Sequence, residues 1–169
     1  MPVIEEMRLL LFPALMAFAA SSDLFTMTIS NRLSLMLGGG FFLLALISGM
    51  GLSILGMHLA AAALVLVVAF IFFARGWIGG GDAKLVAATA LWFGFGHLLD
   101  YLIWASLLGG ALTLLLLQFR QFDLPQVLAR QKWIERLHDA DAGVPYGIAL
   151  AAAALIVYPT TPWMTAAGF

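Results

Sequence analysis

Two carboxylates and a run of glycines carry most of the chemistry open to this chain. Asp82 lies in Trp77-Ile-Gly-Gly-Gly-Asp-Ala-Lys-Leu85, directly after Gly79, Gly80 and Gly81, and Asp23 closes an apolar segment much earlier in the sequence. Two carboxylates brought close together resist double ionisation and share a proton, so one activates water as general base while the other polarises a carbonyl as acid. That is the chemistry of aspartic proteolysis. Holding a divalent cation, as membrane phosphotransferases do, needs more oxygen ligands than two aspartates supply, and no further Asp or Glu stands beside either one. Glycines without side chains leave room for a backbone or a substrate to approach Asp82. Ala83, Val86, Ala87, Ala90 and Leu91 follow at helix spacing, which puts Asp82 at or near a helix start, where unpaired N–H groups favour a negative charge. A glycine loop with Asp82 as a plain N-cap accounts for the same stretch, and the stretch alone leaves both readings open.

The elements that must position these residues are membrane helices. Of 169 residues, 63% are hydrophobic and only 10% charged, far from the balance of a soluble domain. The net charge of -1 gives no basic field for nucleic acid, and the absence of cysteine excludes disulfides, thiolate catalysis and Cys-based zinc sites. No cofactor is implied. The first apolar segment, Met7 to Ser22, ends in Ala-Phe-Ala-Ala-Ser-Ser like a signal-peptide cleavage site, but Glu5 and Glu6 spoil the positive n-region and it reads as a retained span. From Leu33 to Ala74 the one ionisable residue is His58, and this stretch holds two spans that divide near Ser48-Gly-Met-Gly-Leu-Ser53. Leu85 to Gln118, interrupted at Gly94-Phe-Gly-His97 and Asp100, holds two short spans joined by a tight turn, and a sixth runs from about Val144 to Tyr158 before Pro159 and Pro162 stop it. The expectation is a single domain over residues 1–169, an all-α integral membrane bundle of about six transmembrane helices.

Between spans five and six, Phe119 to Gly143 is polar and contains a helix-period segment, Leu124 to Leu137, opened by Asp123 and Pro125. It predicts a cytoplasmic amphipathic helix on an anionic lipid surface, anchored by Trp133. Arg32, Arg75, Lys84, Arg120, Arg130, Lys132 and Arg136 fall in the loops on one side, whereas the other side has Arg8 alone. The positive-inside rule puts those loops in the cytoplasm and both termini outside, so that Asp23 and Asp82 converge on the cytoplasmic face. Carboxylates at a membrane boundary are costly unless paired or solvated, and two that meet there form a candidate active site.

The glycine-aspartate stretch, Gly79-Gly-Gly-Asp-Ala-Lys-Leu85, resembles the GxGD signature of type IV prepilin leader peptidases. More closely, the chain is similar to the short CpaA/TadV-like members that serve Flp (tight-adherence) pili. Asp23 through Ile29-Ser-Asn31 resembles the family's first aspartate followed by Ile-Pro-Asn, with Ser30 where proline is usual and Phe25 and Met27 where basic residues are expected. Val144-Pro-Tyr-Gly-Ile-Ala149 resembles the family's Pro-Tyr-Gly segment opening the last helix. The resemblance implies Asp23 and Asp82 as the catalytic pair. Gly79, Gly80, Gly81, Lys84, Asn31, Pro145, Tyr146 and Gly147 then shape the site or bind substrate. It also implies a bacterial inner-membrane protein acting on prepilin or pseudopilin substrates with a hydrophobic N-terminal helix, among membrane lipids. Larger relatives carry a cysteine-bearing cytoplasmic segment associated with N-methylation; this chain has none, which implies cleavage alone.

The remaining polar and aromatic residues have plainer readings. His58 fits a bundle-facing histidine bonded to a neighbour, and His97 and Asp100 fit turn residues on the outer side. Lys84 suits either a substrate carboxylate or lipid headgroups. Trp77, Trp92, Trp104 and Trp163 fall near span ends, as an interfacial aromatic belt would place them. Two other classes remain open: a small transporter, which would set its glycine-broken helices and polar residues near mid-bilayer, and a non-catalytic assembly subunit, which would tolerate loss of either aspartate.

Overall fold

A computed structural model of the chain describes residues 2–164. Among these the secondary structure is helical without strands: α1 (Pro2–Thr26), α2 (Asn31–Ile47), α3 (Leu52–Ala74), α4 (Gly80–Phe119), α5 (Gln126–Ala129), α6 (Lys132–His138) and α7 (Tyr146–Val157), with 3-10 turns at Ala140–Ala142 and Tyr158–Thr160. Helices Glu5–Thr26, Leu52–Ala74 and Gly80–Phe119 are long and apolar enough to cross a membrane, and Asn31–Ile47 and Tyr146–Thr160 are shorter apolar helices. Many of their large side chains face outward, as Leu64, Val67 and Phe70 do on α3, which suits a lipid surround rather than water. The outward placement expected for the chain ends concerns Met1 and residues 165–169, which lie outside the described residues.

Helix α4 is the hub, packed against α2, α3 and α7, while α1 packs against α2 and α7. It is two helices. Gly94, with φ 55 and ψ −170, is its one non-helical residue, in a left-handed conformation open to glycine. A straight helix would set Asp82 and Ser106 about 36 Å apart at about 1.5 Å per residue. Both line one cavity, so the two halves of α4 fold back on each other at Gly94. Such a break in an apolar environment strands carbonyls at the end of the first half. Here His58 meets the Leu91 carbonyl through Nδ1 at 2.7 Å, and the Trp163 indole N–H donates to the Trp92 carbonyl at 2.8 Å. His58 also packs its ring where a Gly94 Cβ would stand, 3.1 Å away.

The core sits beside this turn. Phe12, Trp92, Phe41, Tyr158 and Trp163 stack and tilt against one another, with Phe12 and Tyr158 ring centroids 4.5 Å apart. The belt reading is therefore corrected for Trp92 and Trp163, which are buried because each indole N–H has a carbonyl inside the bundle, Trp92 donating to Leu37 at 3.0 Å. Trp77 and Trp104 remain at the surface. At this end of the bundle Arg8 donates to Ser48 Oγ, and the Tyr158 hydroxyl donates to the Arg8 carbonyl, both at 2.6 Å.

The opposite end gathers the end of α1, the start of α2, the end of α3, the start of α4, and the start of α7. The single amphipathic helix expected over Leu124 to Leu137 is two short helices, α5 and α6, because Gln131 adopts an extended backbone (φ −91, ψ 105) that ends the first and caps the second. Trp133, expected as a lipid anchor, lies edge-on to Phe25 with ring centroids 5.4 Å apart. Arg136 reinforces that contact by donating to the Phe25 carbonyl at 3.0 Å. Arg120 secures the other side through the carbonyls of Leu137 and Gly143, the first at 2.9 Å.

Candidate active site

Asp23 occupies the last turn of α1 and is 4% exposed. Its carboxylate is held from the far end of the chain: Oδ2 accepts the Gly147 N–H at 2.7 Å. Gly147 is the second residue of α7, where a backbone N–H has no partner within its own helix. A side chain from α1 thereby satisfies the N-terminus of α7, and the positive end of that helix favours the carboxylate. The approach needs glycine. A Cβ at Gly147 would stand 2.8 Å from Asp23 Oδ2 and 2.7 Å from Ile29 Cδ1.

Asp82 is the third residue of α4, and Gly79 is the cap. The N-cap reading of Asp82 is thus corrected: with Gly79 in the extended conformation that starts the helix (φ −70, ψ 148), Asp82 falls in the first turn. Its carboxylate leans back over Gly79, where a Cβ would lie 2.9 Å from Oδ2. Gly80 is covered by the Phe73 ring and Gly81 by Ile29, each with a would-be Cβ contact of 3.1 Å. The three glycines therefore act by absence of bulk, letting the start of α4 lie against α3 and against the loop after α1.

Asp23 and Asp82 line one cavity of about 250 Å³, together with Met27, Thr28, Ile29 and Gly79 to Gly81. Residue type and spacing did not point to the parts played by Met27 and Thr28. Met27 has φ 51, a left-handed conformation that costs a side-chain-bearing residue energy and persists where its surroundings enforce it. The enforcement is visible: Thr26 Oγ1 donates to the Ser22 carbonyl at 2.7 Å, and Ser22 Oγ donates to the Thr28 carbonyl at 2.9 Å, which draws the loop into a tight turn. Ser30 then caps α2, its hydroxyl accepting from the Leu33 N–H. The serine thus starts the helix with a hydrogen bond that a proline could not supply.

The other expected site residues divide. Lys84 Nζ donates to Asn31 Oδ1 at 2.8 Å, tying the first turns of α4 and α2 together on an exposed surface, and neither residue lines the cavity. Pro145 is buried immediately before α7. Tyr146 lies over Gly109 in the second half of α4 and, with Asp82, lines a second, larger cavity, of about 360 Å³, bounded by α3, both halves of α4 and α7. Asp82 is the residue common to both cavities. Among the described residues, no three His, Asp or Glu side chains cluster as a metal site.

Residues 10–114, more than half of the chain, match the sequence model of the type IV leader peptidase family. The chain belongs to that family. As a type IV leader peptidase it is a membrane protease that acts on prepilins. The match includes Asp23, Asp82 and the glycines and ends before Pro145, Tyr146 and Gly147, whose proximity to the aspartates rests on the geometry described above. Comparisons with curated proteins and with solved structures found no match.

Proposed function

We propose that this leader peptidase is an aspartic endopeptidase in which Asp23 and Asp82 share a proton and activate the attacking water. The observation that carries the reading is the shared cavity: two carboxylates from helices distant in sequence face one 250 Å³ space at one end of the bundle. One aspartate takes the proton from water as it attacks the scissile carbonyl and then passes that proton to the leaving amine; the other donates its proton to the carbonyl oxygen and recovers it as the tetrahedral intermediate collapses. Gly79, Gly80 and Gly81 line the cavity with both aspartates and present backbone alone to an extended substrate, and the Gly147 N–H orients Asp23. Pro145, Tyr146, Asn31 and Lys84 shape the surrounding surface.

The finer reading places the enzyme in the bacterial inner membrane, crossing it six times by α1, α2, α3, the two halves of α4, and α7. The site end, which carries Arg32, Arg75, Lys84, Arg120 and Arg136, faces the cytoplasm. The substrate is a Flp-type prepilin, cleaved without methylation. The test is processing of a prepilin by purified protein in liposomes. Asp23→Asn and Asp82→Asn should each lower processing by more than about 10³-fold while the protein still inserts, since the two carboxylates act as a unit. Near-normal processing by either variant would overturn the pair.

A further inference from the structure

Asp82 lies at the junction of two unlike spaces. The smaller holds both carboxylates, whereas the larger is walled by Val68 and Phe72 of α3, Val86 and Leu102 of the two halves of α4, and Leu150 of α7. Apart from Asp82, its polar lining comes from Ser106 and the Tyr146 side chain. A soluble peptide would bury its backbone N–H and carbonyl groups unpaired in such a space, at a free-energy cost for each group. A helix satisfies its own backbone, and an apolar helix matches these walls.

The α3 wall is also the one least tied to the rest. Among the described residues α4 is the only element against which α3 packs extensively. Both connections of α3 turn on left-handed glycines, Gly49 (φ 67) before it and Gly76 (φ 72) after it. Many large side chains of α3 already face the lipid.

We infer that the cavity between α3, α4 and α7 is the docking groove for an apolar, membrane-inserted helix of the substrate, which enters sideways past α3 and delivers the peptide bond at its end to Asp82. This rests on the peptidase reading and adds the face of the bundle from which substrate arrives. The continuity of the groove with the carboxylates argues for substrate as its occupant: a helix seated there ends at Asp82, and the chain beyond it continues over Gly79 to Gly81. A lipid acyl chain, the competing occupant, would gain nothing from that continuity.

The chain has no cysteine, so an introduced thiol is unique. Val68→Cys and Leu102→Cys place one in the groove, and Leu35→Cys places one on the lipid-facing side of α2. Each is combined with Asp82→Asn, reconstituted in liposomes, and oxidised with a synthetic substrate: a polar leader ending in glycine, then about 20 apolar residues carrying one cysteine. Disulfides should form from positions 68 and 102 and not from 35. In the otherwise unaltered enzyme, Val68→Trp should lower kcat/KM for this substrate about tenfold or more by filling the groove. Cross-linking from position 35 instead, or wild-type kcat/KM in Val68→Trp, would overturn the groove while the unaltered enzyme still cuts. Failure of the unaltered enzyme to cut this substrate or a prepilin would overturn the peptidase reading and the docking with it.

Discussion

Gly147 holds the Asp23 carboxylate with a backbone N–H, and there, as at Gly79 beside Asp82, a single methyl group would collide with a carboxylate proposed to be catalytic. A Cβ 2.8 Å from Oδ2 must push the carboxylate aside or draw α7 away from α1. Displacement of a reacting group by about 1 Å costs on the order of 10²-fold in rate. Gly147→Ala should therefore lower kcat by about that factor with KM little changed, and single-turnover kinetics on a prepilin would check it. At this scale the sequence was informative where a motif named a residue and silent where tertiary contact decided its part. The glycines and both aspartates stood out by type and spacing. Met27 did not, because a left-handed methionine has no compositional sign and is held by hydroxyl groups on either side of it.

Elements were legible through apolar length, and their breaks through glycine. The separations at Ser48 to Ser53 and near Gly94 both appear in the structure, the second narrowed to the one residue with positive φ. Leu124 to Leu137 misled because its periodicity says nothing of Gln131, whose extended backbone splits the segment so that Trp133 and Arg136 reach Phe25. Trp92 and Trp163 misled for a related reason: proximity to a span end predicts an interface, but a break in α4 nearby supplied buried carbonyls. That break yields its own prediction. His58→Ala leaves the Leu91 carbonyl without its histidine partner, which should cost about 1–3 kcal/mol of stability. Thermal unfolding in detergent should show the loss, while kcat per folded molecule stays near wild type because His58 lines neither cavity.

For the whole molecule, charge asymmetry supports the proposed orientation and packing supports the proposed site. Arg8 is locked to Ser48 at one end, whereas cations at the starts of α2 and α4 and the ends of α3 and α4 surround the other. Reporter fusions after Arg32, Arg75 and Arg130 should report cytoplasm, and fusions near Gly51 and His97 the outer side, as the positive-inside rule requires. The inverted pattern would place the carboxylates on the face opposite the leader. The all-helical class and the approximate limits of the long apolar helices could be read along the chain, because lipid imposes length and polarity segment by segment. The meeting of α1 with α7 could not, since it depends on shape complementarity between elements at the two ends of the sequence.

The bond from Gly147 to Asp23 joins α1 to α7, 124 residues later in the chain. At about 5–20 residues per second, translation needs on the order of 10 s after Asp23 leaves the ribosome before its backbone partner exists. During that interval the growing chain lies in the same membrane as its substrates with Asp23 unanchored and the site open on one side. Arrested nascent chains ending before Gly143 should accordingly leave a prepilin uncut, even though they contain both aspartates. On the proposed mechanism the order of synthesis acts as a built-in delay, in which proteolytic competence waits for α7 and a product terminated before it leaves its substrates uncut.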